Sequence, residues 1–167
     1  MYYFEIFEAF YLKNIKYLVV GGLAVNLHGV PRVTQDIEII ISMDKDNIVK
    51  VIEILEDLSY IPRLPVNPYD LSNPVIREKW IKEKNLKAFS FYNKKEIYKV
   101  VDIILTHPLN FEQSYQSRII KKLKTIEVNL ISIKDLITMK KMTGRDQDLS
   151  DIELLKKVIE LMEDDRD

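Results

Sequence analysis

Between Lys16 and Met43 the chain reads KYLVVGGLAVNLHGVPRVTQDIEIIISM: two short apolar runs with a glycine pair and one helical turn's worth of residues between them. The economical reading is strand Tyr17 to Val20, a tight turn at Gly21 and Gly22, helix Leu23 to His28, and strand Asp36 to Ile41. Side chains alternate along a strand, so Asp36 and Glu38 are expected on one side, with Ile37 and Ile39 on the other. Two carboxylates on one face of an otherwise apolar strand are costly to bury without a cation or hydrogen bonds, and so point to a site.

The rest of the chain supplies candidates for the same site. The run IYKVVDIIL, read as a strand from Ile97 to Leu105, carries a lone Asp102 among β-branched residues and is expected to face inward with Val100 and Ile104. It pairs in this reading with a strand Leu86 to Tyr92 across the turn 93–96. Arg32, Thr34 and Gln35 precede the acidic strand and belong at the lip of whatever it faces. Arg32 is open to three partners: a phosphate, Asp36 or solvent.

Elsewhere the periodicity gives an N-terminal amphipathic helix over 2–13 and a helix from Lys45 to about Leu58 capped by Asp44. A proline-rich loop spans 60–73, with a helical turn over 74–84 in which Trp80 packs. The basic stretch around Arg118, Lys121, Lys122 and Lys124 reads as a loop or broken helix, and 125–130 as a strand. Ser132 caps a helix through Met142, and a last helix starts near Asp146 after Gly144. Lys140, Lys141, Arg145, Asp148 and Asp151 gather at that junction, either as a salt-bridged surface or as a phosphate-binding corner. His28 is expected to cap or pack the short helix.

At 167 residues with 47% hydrophobic content, the chain fits one globular domain, 1–167. The 25 basic and 26 acidic residues nearly cancel, which gives no bulk attraction to nucleic acid or membrane. The absence of cysteine excludes disulfides and thiolate metal sites and fits a cytoplasmic protein. The start, MYYFEIFEAF, lacks the features of a signal peptide, and no apolar run is long enough to span a membrane.

Taken together, GGLAVNLHGVPRVTQDIEIII, VVDIIL and ISIKDLITMKKMTGRDQDLSDI resemble, in identity and order from about Lys16 to Leu155, the minimal nucleotidyltransferases of the DNA polymerase β superfamily. The likeness extends to the group of small proteins that includes the AbiEii-type toxins. It implies an α/β (α+β) nucleotidyltransferase fold, with a small mixed sheet, helices on one face and a C-terminal helical pair closing the cleft. It also implies transfer of a nucleoside monophosphate from a nucleoside triphosphate to a hydroxyl acceptor such as RNA, a protein or a small molecule, with an antitoxin as partner.

By position, the resemblance makes Gly21 and Gly22 triphosphate contacts. Asp36 and Glu38 become ligands of Mg²⁺ or Mn²⁺, and Asp102 the third ligand and candidate base. Arg32, Lys140 and Arg145 join the nucleotide site, and Thr34, Asp148 and Asp151 support it. Divalent magnesium takes such hard oxygen ligands and bridges them to substrate phosphates. The chain departs from the pattern twice: Glu38 stands where aspartate is common, and Gly22 where many relatives have serine. Two rival readings are a catalytically silent nucleotide- or partner-binding relative, and acids that serve only as structural ion pairs.

Overall fold

The computed structural model describes residues 2–166. In chain order the elements are α1 (Tyr3–Leu12), β1 (Tyr17–Val20), α2 (Gly21–Leu27), β2 (Ile37–Ile41), α3 (Lys45–Asp57), β3 (Tyr60–Pro62), a 3₁₀ turn (Pro68–Ser72) and α4 (Pro74–Glu83). There follow β4 (Ala88–Asn93), β5 (Val100–Ile104), α5 (Phe111–Gln116), β6 (Ile119–Leu123), β7 (Ile126–Leu130), α6 (Ile133–Thr143) and α7 (Asp146–Asp164). The strands form one mixed sheet in the order β3-β4-β5-β2-β1-β7-β6. This is the α/β architecture expected, with more strands than the sequence reading counted.

Alternation assigns the two faces. Tyr17, Val19, Ile39, Ile103 and Phe89 share one face through the register Tyr17↔Ile41, Val19↔Ile39, Ile39↔Ile103 and Phe89↔Ile103. The ring of Phe7 from α1 stacks on Tyr17 with centroids 5.7 Å apart, and Trp80 from α4 stacks on Phe89 at 5.6 Å. Helices α1, α3 and α4 therefore cover this face, and Trp80 is a packing residue as expected. The opposite face carries Leu18, Val20, Glu38, Asp102 and Ile104. The pair α6–α7 covers part of it and leaves the rest as a cleft.

Several local expectations are corrected. The segment 60–73 is not a plain loop, because Tyr60 to Pro62 adds an edge strand to β4 and Asn67 caps the 3₁₀ turn. The basic stretch is strand β6, hydrogen-bonded to β7 from Ile119↔Leu130 to Leu123↔Ile126. Its alternation is hidden because four of its five residues are exposed, Lys121 and Lys122 among them. The β4–β5 connection is longer than expected: Asn93 Oδ1 accepts from the N–H groups of Lys95 and Glu96, which leaves Ile97 and Tyr98 in solvent. On β5 the core face is Val101 and Ile103, so Asp102 and Ile104 look into the cleft and not into the core. Asp44 holds the N-cap position of α3 but makes no capping hydrogen bond; its carboxylate accepts from Ser42 Oγ instead.

Candidate functional site

Strand pairing brings Glu38 and Asp102 together as neighbours in the parallel β2–β5 ladder. The row continues to Val20 on one side and to Ser90 on the other. Ser90 Oγ donates to Asp102 Oδ1, which orients that carboxylate. Asp36 lies just before β2, exposed at the mouth of the cleft rather than inside the strand.

All three acids share one electrostatic neighbourhood. Burial, followed by the charge of Asp102, raises the Asp36 carboxyl above the usual carboxylate range, and Arg63 opposes this. Glu38 is raised chiefly by burial and also by Asp102, against the Gly22 N–H, Lys140 and Arg145. None of the three forms an ion pair among the described residues. Nor are any three His, Cys, Asp or Glu side chains there grouped as a ready-made ion cage. The donor set suits a hard divalent ion that completes its shell with substrate oxygens, since magnesium is commonly held by one or two carboxylates and phosphates.

The glycine pair explains why the second acid can be glutamate. Gly21 sits at φ +65°, and a Cβ there would lie 1.7 Å from Glu38 Oε2. The longer side chain lies over the turn and accepts from the Gly22 N–H at 3.4 Å. At Gly22 a Cβ would meet Arg32 Nη1 and Thr34 Oγ1, each at 2.8 Å. Thr34 and Arg32 therefore pack over the turn from the lip, and the Arg32 N–H is pinned to Asn26 Oδ1 at 2.8 Å. We expect Gly21→Ala to lose about 1–2 kcal/mol from the left-handed backbone alone. Glu38→Ala in the same chain should recover only the steric part, as read from urea midpoints.

The C-terminal corner is an ion-pair network. Asp151, 1% exposed, meets Arg32 Nη1 at 3.0 Å and Lys140 Nζ at 2.9 Å. Gln147 Nε2 donates to its other oxygen. Asp148 accepts from Thr143 Oγ1 at 2.8 Å and from Arg145 Nε at 2.9 Å, with Lys140 Nζ 3.5 Å away. Burial opposes ionisation of Asp148, but the hydrogen bonds from Arg145 and Thr143 outweigh it and hold the carboxyl at about 2. Lys140 is thus engaged by two carboxylates, while the Arg145 side chain is 71% exposed beside the cleft.

A cavity of about 530 Å³ is lined by Gly21, Gly22, Glu38 and Arg145 and, further across the sheet on β4, on β5 and just after it, by Ala88, Ile104 and His107. Ser90, Asn26, Thr143, Gln147 and His107 were not singled out as site residues by the sequence reading. Strand register brings in Ser90, whereas Asn26, Thr143 and Gln147 lie within six residues of the partners they bond. His28 is the helix C-cap as expected, its Nε2 2.7 Å from the Ile131 carbonyl.

The chain belongs to the family described as nucleotidyltransferase of unknown function (DUF6036), whose pattern matches residues 5–163. No curated protein matches it in sequence. Among solved structures it resembles the lincosamide antibiotic adenylyltransferase LnuA with lincomycin bound, with 21% identity, TM-score 0.61, and coverage of 93% of this chain and 94% of that one. It also resembles ANT(2")-Ia in complex with adenylyl-2"-tobramycin, at 14% identity, TM-score 0.55, and 95% and 91% coverage. A putative nucleotidyltransferase from Thermotoga maritima matches at 14% identity, TM-score 0.54, and 93% and 89% coverage. These likenesses establish the nucleotidyltransferase fold. Within the superfamily, the AbiEii-type group is not singled out.

Proposed function

We propose that this member of a nucleotidyltransferase family moves a nucleoside monophosphate from a nucleoside triphosphate to a hydroxyl of a small molecule. The observation that carries the reading is the Glu38–Asp102 ladder pair, in no ion pair among the described residues, with Glu38 lining a cavity that Arg145 also lines. Glu38 and Asp102, with Asp36 at the mouth, would hold Mg²⁺ or Mn²⁺. A bound ion would neutralise triphosphate charge and acidify the acceptor hydroxyl.

The chain's own residues do the remaining work. Asp102, oriented by Ser90, accepts the proton as the acceptor oxygen bonds to the α-phosphorus and the bond to pyrophosphate breaks. Arg145, kept cationic by its bonds to Asp148, faces the departing charge. The Gly22 N–H, now facing Glu38 Oε2, would be free to bond a phosphate oxygen if that carboxylate held an ion instead. Lys140 contributes mainly by tying Asp148 and Asp151 to α6.

A small acceptor is favoured over RNA for a geometric reason. The basic strand β6 lies at the far edge of the sheet, with β7, β1 and β2 between it and Asp102. The bound molecules of the two antibiotic-modifying neighbours are small and hydroxylated, which supports the same class. The test supplies α-labelled ATP, CTP, GTP and UTP with Mn²⁺ and a panel of hydroxylated small molecules that includes lincomycin and tobramycin. Pyrophosphate release with a product heavier by one nucleoside monophosphate is the expected result. No release with any pair ends the reading. Because Asp36 and Glu38 titrate above the usual carboxylate range, Mn²⁺ affinity should fall with decreasing pH already above about 4, as protons compete for the ligands.

A further inference from the structure

The cavity's second end is unlike its first. Ala88 and Ile104, cross-strand partners on β4 and β5, line it there, and Leu136 and Met139 of α6 are in the same lining. Thr106 and His107, which follow β5, also line it. A lining that adds Ala88, Ile104, Leu136 and Met139 to a few polar groups suits a flat ring better than a phosphate, and this part of the cavity is called the slot below.

His107 is held in one chemical form. Its Nδ1 accepts the Leu109 N–H at 3.2 Å, so in the neutral ring the proton sits on Nε2. Burial lowers the basicity of the imidazole, which keeps it neutral near pH 7. Nε2–H has no partner among the described residues. The backbone carrying it is also anchored, since the Leu105 and Thr106 N–H groups both donate to the Lys87 carbonyl, at 2.8 and 3.2 Å.

We infer that this slot seats the base of the nucleotide and that His107 Nε2–H donates to a ring nitrogen or carbonyl oxygen on the base edge, making it a specificity-determining residue. The inference rests on the nucleotidyl-transfer reading above. It follows from continuity: a ligand with its phosphates near Gly21, Gly22 and Arg145 extends along the same cavity into the slot. An Nε2–H donor with no acceptor capacity favours bases that present an acceptor at that point and rejects those that present a donor.

Calorimetry with Mn²⁺ tests it by comparing the four nucleoside triphosphates with ribose 5-triphosphate and inorganic tripolyphosphate, in wild type, His107→Phe and His107→Gln. The preferred nucleotide should bind wild type at least about tenfold more tightly than ribose 5-triphosphate, the worth of one buried hydrogen bond plus ring burial. His107→Phe should lose the discrimination among bases with tripolyphosphate affinity unchanged, and His107→Gln, which keeps an N–H donor, should restore part of it. If ribose 5-triphosphate binds wild type as well as any nucleotide, or His107→Phe leaves the base preference intact, the inference is overturned while the phosphate site stands. If neither nucleotide nor tripolyphosphate binds, the transfer reading itself falls and takes this one with it. The wild-type comparison decides the matter even where the phenylalanine variant folds poorly.

Discussion

Replacing Asp151 by alanine is expected to remove about 3–5 kcal/mol of stability, the usual loss when one partner of a buried ion pair is deleted. Asp151 is 1% exposed and Lys140 5%, and after the substitution Lys140 would face only Asp148, at 3.5 Å, while Arg32 would face no carboxylate at all. The penalty comes from stranding desolvated cations more than from losing attraction. Asp151→Asn should cost less, because its amide oxygen can still accept from Lys140 and Arg32 while Gln147 turns its own oxygen to the new NH2. Urea unfolding at pH 7 reads both. An alanine variant within about 1 kcal/mol of wild type would mean that water reaches the network.

The effect should also spread to the lip. Arg32 packs over Gly22 and is clamped by Asn26 and Asp151. Loss of Asp151 therefore loosens the glycine turn from a distance, and faster amide exchange at Gly22 and Leu23 is the accompanying signature.

Asp102→Asn is expected to cut the rate of nucleotidyl transfer by about 10²–10⁴-fold, the range for losing a positioned general base. The same change should leave the fold intact and stabilise it slightly. The Ser90 hydroxyl can still donate to the amide oxygen, and the repulsion of Asp102 with Glu38 and Asp36 disappears. Activity and stability thus move in opposite directions, which a purely structural aspartate would not show. Pyrophosphate release under saturating triphosphate, set beside the melting temperature, separates the two. Unchanged turnover would remove Asp102 from the chemistry.

The local pattern was enough to place the strand, the glycine pair and the second acidic strand, because each rests on neighbours in the chain: β-branched runs, a turn that needs left-handed backbone at Gly21, and side-chain alternation. Caps such as Ser132 were equally legible, its oxygen accepting from the Asp135 N–H at 3.2 Å. The β5 face was read the wrong way round because a hydrophobic strand with both faces partly covered gives no alternation signal. The extent of β4 and β5 was missed because it depends on the Asn93 turn, whose length no local preference sets.

From the sequence by itself came the inventory: which acids, glycines and cations are available, and that the chain builds an α/β nucleotidyltransferase. Only the tertiary structure sorted those charges into two groups. Asp148 and Asp151 are engaged by Arg32, Lys140 and Arg145, whereas Glu38 and Asp102 are neighbours across a strand pair with Asp36 beside them and in no direct ion pair among the described residues. The physical reason is that the energy of a charge is set by what lies within a few ångströms in space. Residues 32 and 151, or 38 and 102, become neighbours only through strand register and the return of α7 to the lip.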